Sequence, residues 1–212
     1  KKKLYNNINL KKKTECSGCP YLYKDEWPEI EDLKIKHMSI ENHSVCNMKC
    51  TYCSEIYYGG KKSNYDLKSI LRKLENSGVL SKDIRIVWGG GEPVLSKDFN
   101  QSFDFIINKL NPSSVMVYTN STVFNETLEK YLKDKKIMIT TSIDAGNVET
   151  FKKVRGVKVF EKVFQNLKTY ADACEGKNII IKYIFTNDNS SYEEIDGFLN
   201  MVKKYKLFNC QF

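Results

Sequence analysis

The chain of 212 residues contains no apolar run approaching the roughly 20 residues that cross a bilayer, which excludes a membrane helix. Its first residues, Lys1 to Asn7, lack the apolar centre of a secretory signal. Only 2 His are present, and neither His37 nor His43 has a second His at ligand spacing, although His43 lies near the cysteine triplet. Proline is scarce at 4, and neither a short repeat nor a low-complexity tract is visible. The cysteine count, 7, is odd; with no export signal this argues against a disulfide scaffold and for a cytoplasmic protein with reduced thiols. The chain does not begin with Met, which reads as a piece of a longer protein.

What is present is enough for a folded core: 41% of residues are hydrophobic and 12% aromatic, which rules out disorder for the chain as a whole. The net charge of +8 hints at anionic partners, but the lysines are dispersed and six lie in the triplets 1–3 and 11–13. A solvated surface is therefore favoured over nucleic-acid binding.

Residues 1–36 form an irregular extension holding Cys16-Ser17-Gly18-Cys19-Pro20 and the acidic stretch from Asp25 to Asp32. No period there is long enough for a helix or strand. From residue 37 to 212 the pattern is regular. Strands are expected at Met38–Asn42, Ile84–Trp88, Val115–Thr119, Ile137–Ile143, Ile179–Phe185 and Leu207–Phe212. Several are continuous apolar runs, as parallel strands covered on both faces require. Helical stripes fall between them: Leu67, Ile70, Leu71 and Leu74, with a capping box Ser63…Asp66 and a stop at Gly78; Phe99 to Leu110; Leu128, Tyr131 and Leu132; Phe160 to Cys174; Ile195 to Val202. Strand–helix alternation predicts an α/β fold with a parallel sheet, open or curled into a barrel. Cys174 lies on an apolar stripe and Cys210 alternates along the last strand, so both are expected in the core.

The other five thiols are grouped as Cys16 and Cys19, then Cys46, Cys50 and Cys53. Three residues separate the first two of the triplet and two separate the last pair. Three thiolates on one short loop can converge on a metal centre. An iron–sulfur cluster usually takes four, so a cubane held by three would keep one iron open to a ligand. Structural zinc with His43 as the fourth ligand is the alternative.

This triplet resembles the motif of the radical S-adenosylmethionine (radical SAM) family, a Cys-x3-Cys-x2-Cys loop after the first strand. Tyr52 matches the aromatic residue that family members often place beside the adenine. Gly89-Gly90-Gly91-Glu92-Pro93, after strand two, looks like the segment that receives the methionine amino group. Thr141-Ser142-Ile143-Asp144-Ala145 followed by Arg155 looks like a pattern of peptide-maturing and SPASM-type members. There the Ser helps hold the cofactor, and the Arg pairs with the methionine carboxylate, as a bidentate guanidinium fork can. Asp144 would serve the ribose hydroxyls or the substrate, or else cap the following segment. Asn120, ending strand three, would face the cofactor cavity; Lys182 either points inward at the substrate or is solvated.

The resemblance runs from about Met38 to the C-terminus. It implies a partial (β/α)6 TIM-like barrel, a [4Fe-4S] cluster on Cys46, Cys50 and Cys53, and S-adenosylmethionine as cofactor. It implies an enzyme that generates a 5′-deoxyadenosyl radical and abstracts hydrogen from a small molecule or peptide. An electron donor such as flavodoxin or ferredoxin would supply the reducing equivalent. Cys16 and Cys19 are candidates for a second site, an auxiliary iron–sulfur cluster or zinc. Two rival readings remain: a non-catalytic zinc or iron–sulfur module, and an RNA-modifying radical SAM enzyme. Only the first of these needs no cofactor cradle at residues 89–93 and 142–155. The chain ends at the sixth expected strand, ahead of the sixth helix the barrel implies.

Overall fold

The computed structural model describes residues 2–21, 34–54 and 60–212. The acidic stretch from Asp25 to Asp32 lies outside them. The chain separates into two compact units, Lys1–Leu33 and Lys34–Phe212.

In the first unit a helix, α1, spans Lys2–Asn9, where no regular element was expected. Two turns are too short to display a helical period. A tight turn follows, in which the Cys19 amide donates to the Cys16 carbonyl at 3.1 Å.

The second unit is an α/β fold. Its five strands are β1 (Ile35–Ile40), β2 (Leu80–Trp88), β3 (Ser114–Tyr118), β4 (Met138–Ser142) and β5 (Ile179–Lys182). They lie in the order β1-β2-β3-β4-β5, and every neighbouring pair is parallel. Hydrophobic periodicity could not choose between an open sheet and a barrel; the strand order does. A doubly wound sheet reverses direction at a switch point, whereas a barrel adds each strand on the same side. No reversal occurs here, so the sheet is a partial barrel.

Two expected strands are corrected. Leu207–Phe212 is not a strand: the Cys210 amide turns back to the Leu207 carbonyl at 3.1 Å, and Gln211 alone bridges Ile180. β5 stops at Lys182 rather than Phe185, because the Ile184 amide donates to the Asp144 carboxylate at 2.7 Å instead of to a strand.

The helices follow the apolar stripes: α2 (Leu67–Ser77), α3 (Phe99–Phe105), α4 (Glu126–Lys133), α5 (Val148–Arg155), α6 (Phe160–Cys174) and α7 (Tyr192–Lys204). The cap of α2 is Asp66 itself, accepting from the Lys68 amide, and not a Ser63 box; Gly78 ends the helix at φ 66° as expected. α3 continues as a π-helical turn over Ile106–Leu110, ahead of Pro112. α5 was not foreseen as a helix. Asn147 caps it, accepting from the Thr150 amide at 2.9 Å, so Asp144 does not fill that role.

The core packs the helices onto the sheet around an aromatic file. Trp88 on β2 meets Phe99 and Phe103 of α3 at ring-centroid distances of 5.0 and 5.8 Å, and Phe103 meets Tyr131 of α4 at 5.9 Å. Cys174 and Cys210 are buried in this core as expected, although Cys210 reaches it from a turn and not from a strand. Phe103→Ala, which empties the centre of the file, is expected to lower the unfolding free energy by about 3–5 kcal/mol in a urea titration.

Candidate active site

The cysteine triplet sits on the segment that leaves the carboxyl end of β1. One side of this segment is tied to the end of β2. The Gly89 amide donates to Ile40 O at 2.9 Å, Gly91 to His43 O at 3.0 Å and Glu92 to Val45 O at 2.8 Å. This approach is too close for a side chain: a Cβ at Gly91 would fall 2.2 Å from the Val45 carbonyl. The other side is tied to the end of α5. The Lys49 and Thr51 amides donate to Arg155 O and Val154 O at 3.2 and 2.9 Å. Gly156, at φ +80°, again leaves no room, since a Cβ would lie 2.7 Å from Lys49 O. The glycines expected to open the backbone to a ligand therefore also clamp the cysteine loop, and Gly89, Gly90 and Gly91 line the same cavity as the thiols.

That cavity, about 1190 Å³, opens at the carboxyl ends of the strands. It is lined by Cys46, Cys50, Cys53, Tyr52, Asn120, Ser142 and Arg155, seven of the residues singled out from the sequence. Cys46 Sγ accepts from the Met48 amide at 3.4 Å and from Asn120 Nδ2 at 3.6 Å. Burial pushes the Cys50 thiol up to about 11 and lifts Cys46 and Cys53 as well. The free thiols are therefore protonated near neutrality, and ligation must displace their protons. Among the described residues no three His, Cys, Asp or Glu side chains are gathered as a ready-made metal cage, so the triplet shares a loop and a cavity without meeting at one point. His43 does not line this cavity; its Nδ1 accepts from the Val45 amide at 3.2 Å, which weakens the zinc alternative. Cys16 and Cys19 belong to the other unit.

Two expected cofactor residues are buried behind the wall. Glu92 is 1% exposed. Its carboxylate accepts from the Asn120 amide at 2.5 Å, Thr119 Oγ1 at 2.8 Å and the Val94 amide at 3.4 Å, joining the ends of β2 and β3. Asp144 is fully buried at φ +59°. It accepts from the Ile184 amide at 2.7 Å, the Tyr52 hydroxyl at 2.6 Å and Arg155 Nη1 at 3.1 Å. Burial lifts Asp144 to about 6, against the Ile184 amide and Lys182, which pull it down. Arg155 donates to the Tyr52 oxygen as well, and its Nε is buried without a partner.

Sequence reasoning missed other lining residues: Glu41, Tyr118 and Thr140, the last with a buried hydroxyl that has no partner. Strand alternation could have found two of them. Tyr118 stands two residues before Asn120 and Thr140 two before Ser142, on the same faces. Lys182 lines the cavity too, 5.9 Å from the centre of the Tyr118 ring, which settles its direction as inward.

Burial raises Glu92 from 4.5 to about 7, against its three donors. The folded chain then holds a proton that the unfolded chain has released, so stability falls as pH rises through that window. Urea titrations of the cluster-free chain between pH 4.5 and 7 are expected to show this decline, with a smaller slope in Glu92→Gln.

Comparison with known proteins agrees with this geometry. Over 182 residues the chain is 26% identical to GTP 3',8-cyclase of Clostridium botulinum (strain Okra / Type B1), covering 82% of this chain and 54% of the relative. The chain thus spans about half the length of the curated relatives it matches. Among solved structures, Streptococcus suis SuiB bound to S-adenosylmethionine superposes with a TM-score of 0.62 at 19% identity, over 82% of this chain and 39% of that one. Native anSMEcpe with bound AdoMet and a peptide, Cp18Cys, gives 0.62 at 21% identity, over 82% and 49%. The family model described as Radical SAM superfamily matches residues 43–200, three-quarters of the chain, and the chain belongs to that superfamily.

Proposed function

We propose that the cavity is the catalytic site of a radical SAM enzyme, with the cluster on Cys46, Cys50 and Cys53 and S-adenosylmethionine beside it. The observation that carries this reading is one shared cavity. It brings together three thiols from one loop, the Gly89–Gly91 backbone and the buried, half-satisfied Arg155. The family's cofactors are a [4Fe-4S] cluster and S-adenosylmethionine. The residues fit both: the triplet offers thiolates only, as iron–sulfur clusters take, and leaves one of the usual four places open. The unpartnered Arg155 Nε and Thr140 Oγ1 are buried polar atoms of the kind a polar ligand satisfies.

When bound, the pair would supply, on one-electron reduction, the 5′-deoxyadenosyl radical chemistry that abstracts hydrogen from a substrate. The chain's part is to bind, orient and shield. Arg155 would hold the methionine carboxylate through its fork. The carbonyls along Gly89–Gly91 would accept from the methionine amino group. Tyr52 would flank the adenine, and Asn120 and Ser142 would contribute polar contacts along the wall. Asn120 also holds Cys46 in place by its hydrogen bond to the sulfur. The electron comes from a flavodoxin- or ferredoxin-type donor.

The substrate is a small molecule or a peptide. The relatives' printed names include both, GTP for the Clostridium botulinum cyclase and the precursor peptide SuiA for Streptococcus suis SuiB. Glu41, Tyr118 and Lys182, which line the same cavity, supply its charged and aromatic contacts. No helix among the described residues is long and apolar enough to cross a membrane. Cys16 and Cys19, close in one turn, are offered as ligands of a second cluster.

Anaerobic reconstitution with iron and sulfide is expected to load the purified protein. Dithionite and S-adenosylmethionine should then yield 5′-deoxyadenosine, read by chromatography; none from iron-loaded protein overturns the reading. Cys50→Ala is expected to lose the cluster iron, and retention of the full iron content would remove Cys50 from the ligand set.

A further inference from the structure

Arg155 uses only part of its donor set inside the protein. Nη1 is committed to Asp144 Oδ2 at 3.1 Å and to the Tyr52 oxygen. Nε is buried and has no partner, and no hydrogen bond engages Nη2 among the described residues. The Nε–Nη2 side is one of the two edges by which a guanidinium grips a carboxylate bidentately. The edge left over is thus complete.

Asp144 is built for holding the other end. It is fully buried, it sits in the left-handed region at φ +59°, and its neighbours fix it from three directions. The Ile184 amide donates to one carboxylate oxygen at 2.7 Å, and the Tyr52 hydroxyl to the other at 2.6 Å. Asn189 Nδ2 donates to the Asp144 carbonyl at 2.9 Å. A non-glycine residue held at positive φ is uncommon and costs energy, and such positions cluster at functional sites. The Asp144 carboxylate also stands 3.1 Å from this buried guanidinium, whose charge burial disfavours.

We infer that Asp144, with the Tyr52 hydroxyl, is a positioning pair: it pins Nη1 of Arg155 and presents the Nε–Nη2 edge to the carboxylate of the bound cofactor. This replaces the ribose or substrate contact expected for Asp144, since its oxygens are spent on protein donors. Tyr52 lies immediately before Cys53, so the same pin fixes the end of the cysteine loop against β4. The inference rests on Arg155 as the carboxylate anchor.

The test is equilibrium binding to the iron-loaded protein of two ligands: S-adenosylmethionine and its decarboxylated analogue, which lacks only the carboxylate. Wild type is expected to prefer S-adenosylmethionine. Asp144→Asn tolerates the positive φ and still accepts from the Ile184 amide, but it loses the charge that holds Nη1. It is expected to bind S-adenosylmethionine about tenfold or more weakly while its affinity for the analogue stays near wild type. Tyr52→Phe, which removes one hydroxyl, should shift the preference the same way by a smaller factor. A folded Asp144→Asn with wild-type iron content and wild-type preference overturns the proposal. So does an equal loss for both ligands. If Asp144→Asn does not fold or load iron, Tyr52→Phe decides, and an unchanged preference there overturns it. If wild type itself shows no preference, Arg155 is not the anchor, and the positioning role falls with that reading.

Discussion

The geometry of the site depends on backbone meeting backbone without side chains between. The cysteine loop is suspended between the end of β2 and the end of α5 by main-chain hydrogen bonds from Gly91, Glu92, Lys49 and Thr51. At Gly91 and Gly156 the approach leaves no space for a Cβ. Glycine costs conformational entropy in the unfolded chain, and here that cost is offset by bringing a loop of three thiols to a defined place at the sheet's carboxyl edge. Two glycines far apart in sequence thus act on one eight-residue segment.

Buried polar groups do the second part of the work. A buried carboxylate is costly unless its oxygens are satisfied. Glu92 meets that condition with donors from β3 and its own turn, and Asp144 with donors from three separate segments. Each carboxylate therefore fastens neighbouring strands where the strand ladders end, just behind the cavity wall. The residues that face the cavity, Arg155 and Asn120 above all, are held in turn by these fasteners. The division is visible in the hydrogen bonds: one set of polar atoms is consumed in building the wall, and a smaller set, with Arg155 Nε and Thr140 Oγ1 in it, has no partner within the described protein.

Much of the fold was legible because its signals are local. Apolar runs marked β3 and β4 to within a residue and located β1, β2 and β5 with displaced ends, and i, i+3, i+4 stripes marked α2, α3, α4, α6 and α7. α5 escaped notice because eight residues with apolar positions only at Val148, Phe151 and Val154 show barely one repeat. The final expected strand failed because strand propensity says nothing about a turn that folds Leu207–Cys210 back on itself. The site was legible to the extent that its residues stand in short patterns: the three cysteines, the glycine run, and Ser142 to Arg155. Tyr118 and Thr140 stand outside those motifs and are reached only by strand alternation from Asn120 and Ser142, and Glu41 stands in no pattern at all.

The sequence alone determined the chemistry on offer: which thiols are clustered, that an alternating α/β sheet carries them, and that an arginine stands downstream of a Ser-Ile-Asp stretch. Tertiary structure decided the partition of roles. Whether Glu92 and Asp144 face a ligand or the protein depends on the Asn120 and Ile184 amides, 28 and 40 residues away. A carboxylate at a strand end looks the same in sequence whether it will touch cofactor or support the residue that does. Only the folded chain, by bringing those donors within hydrogen-bond distance, settles which of its oxygens remain free.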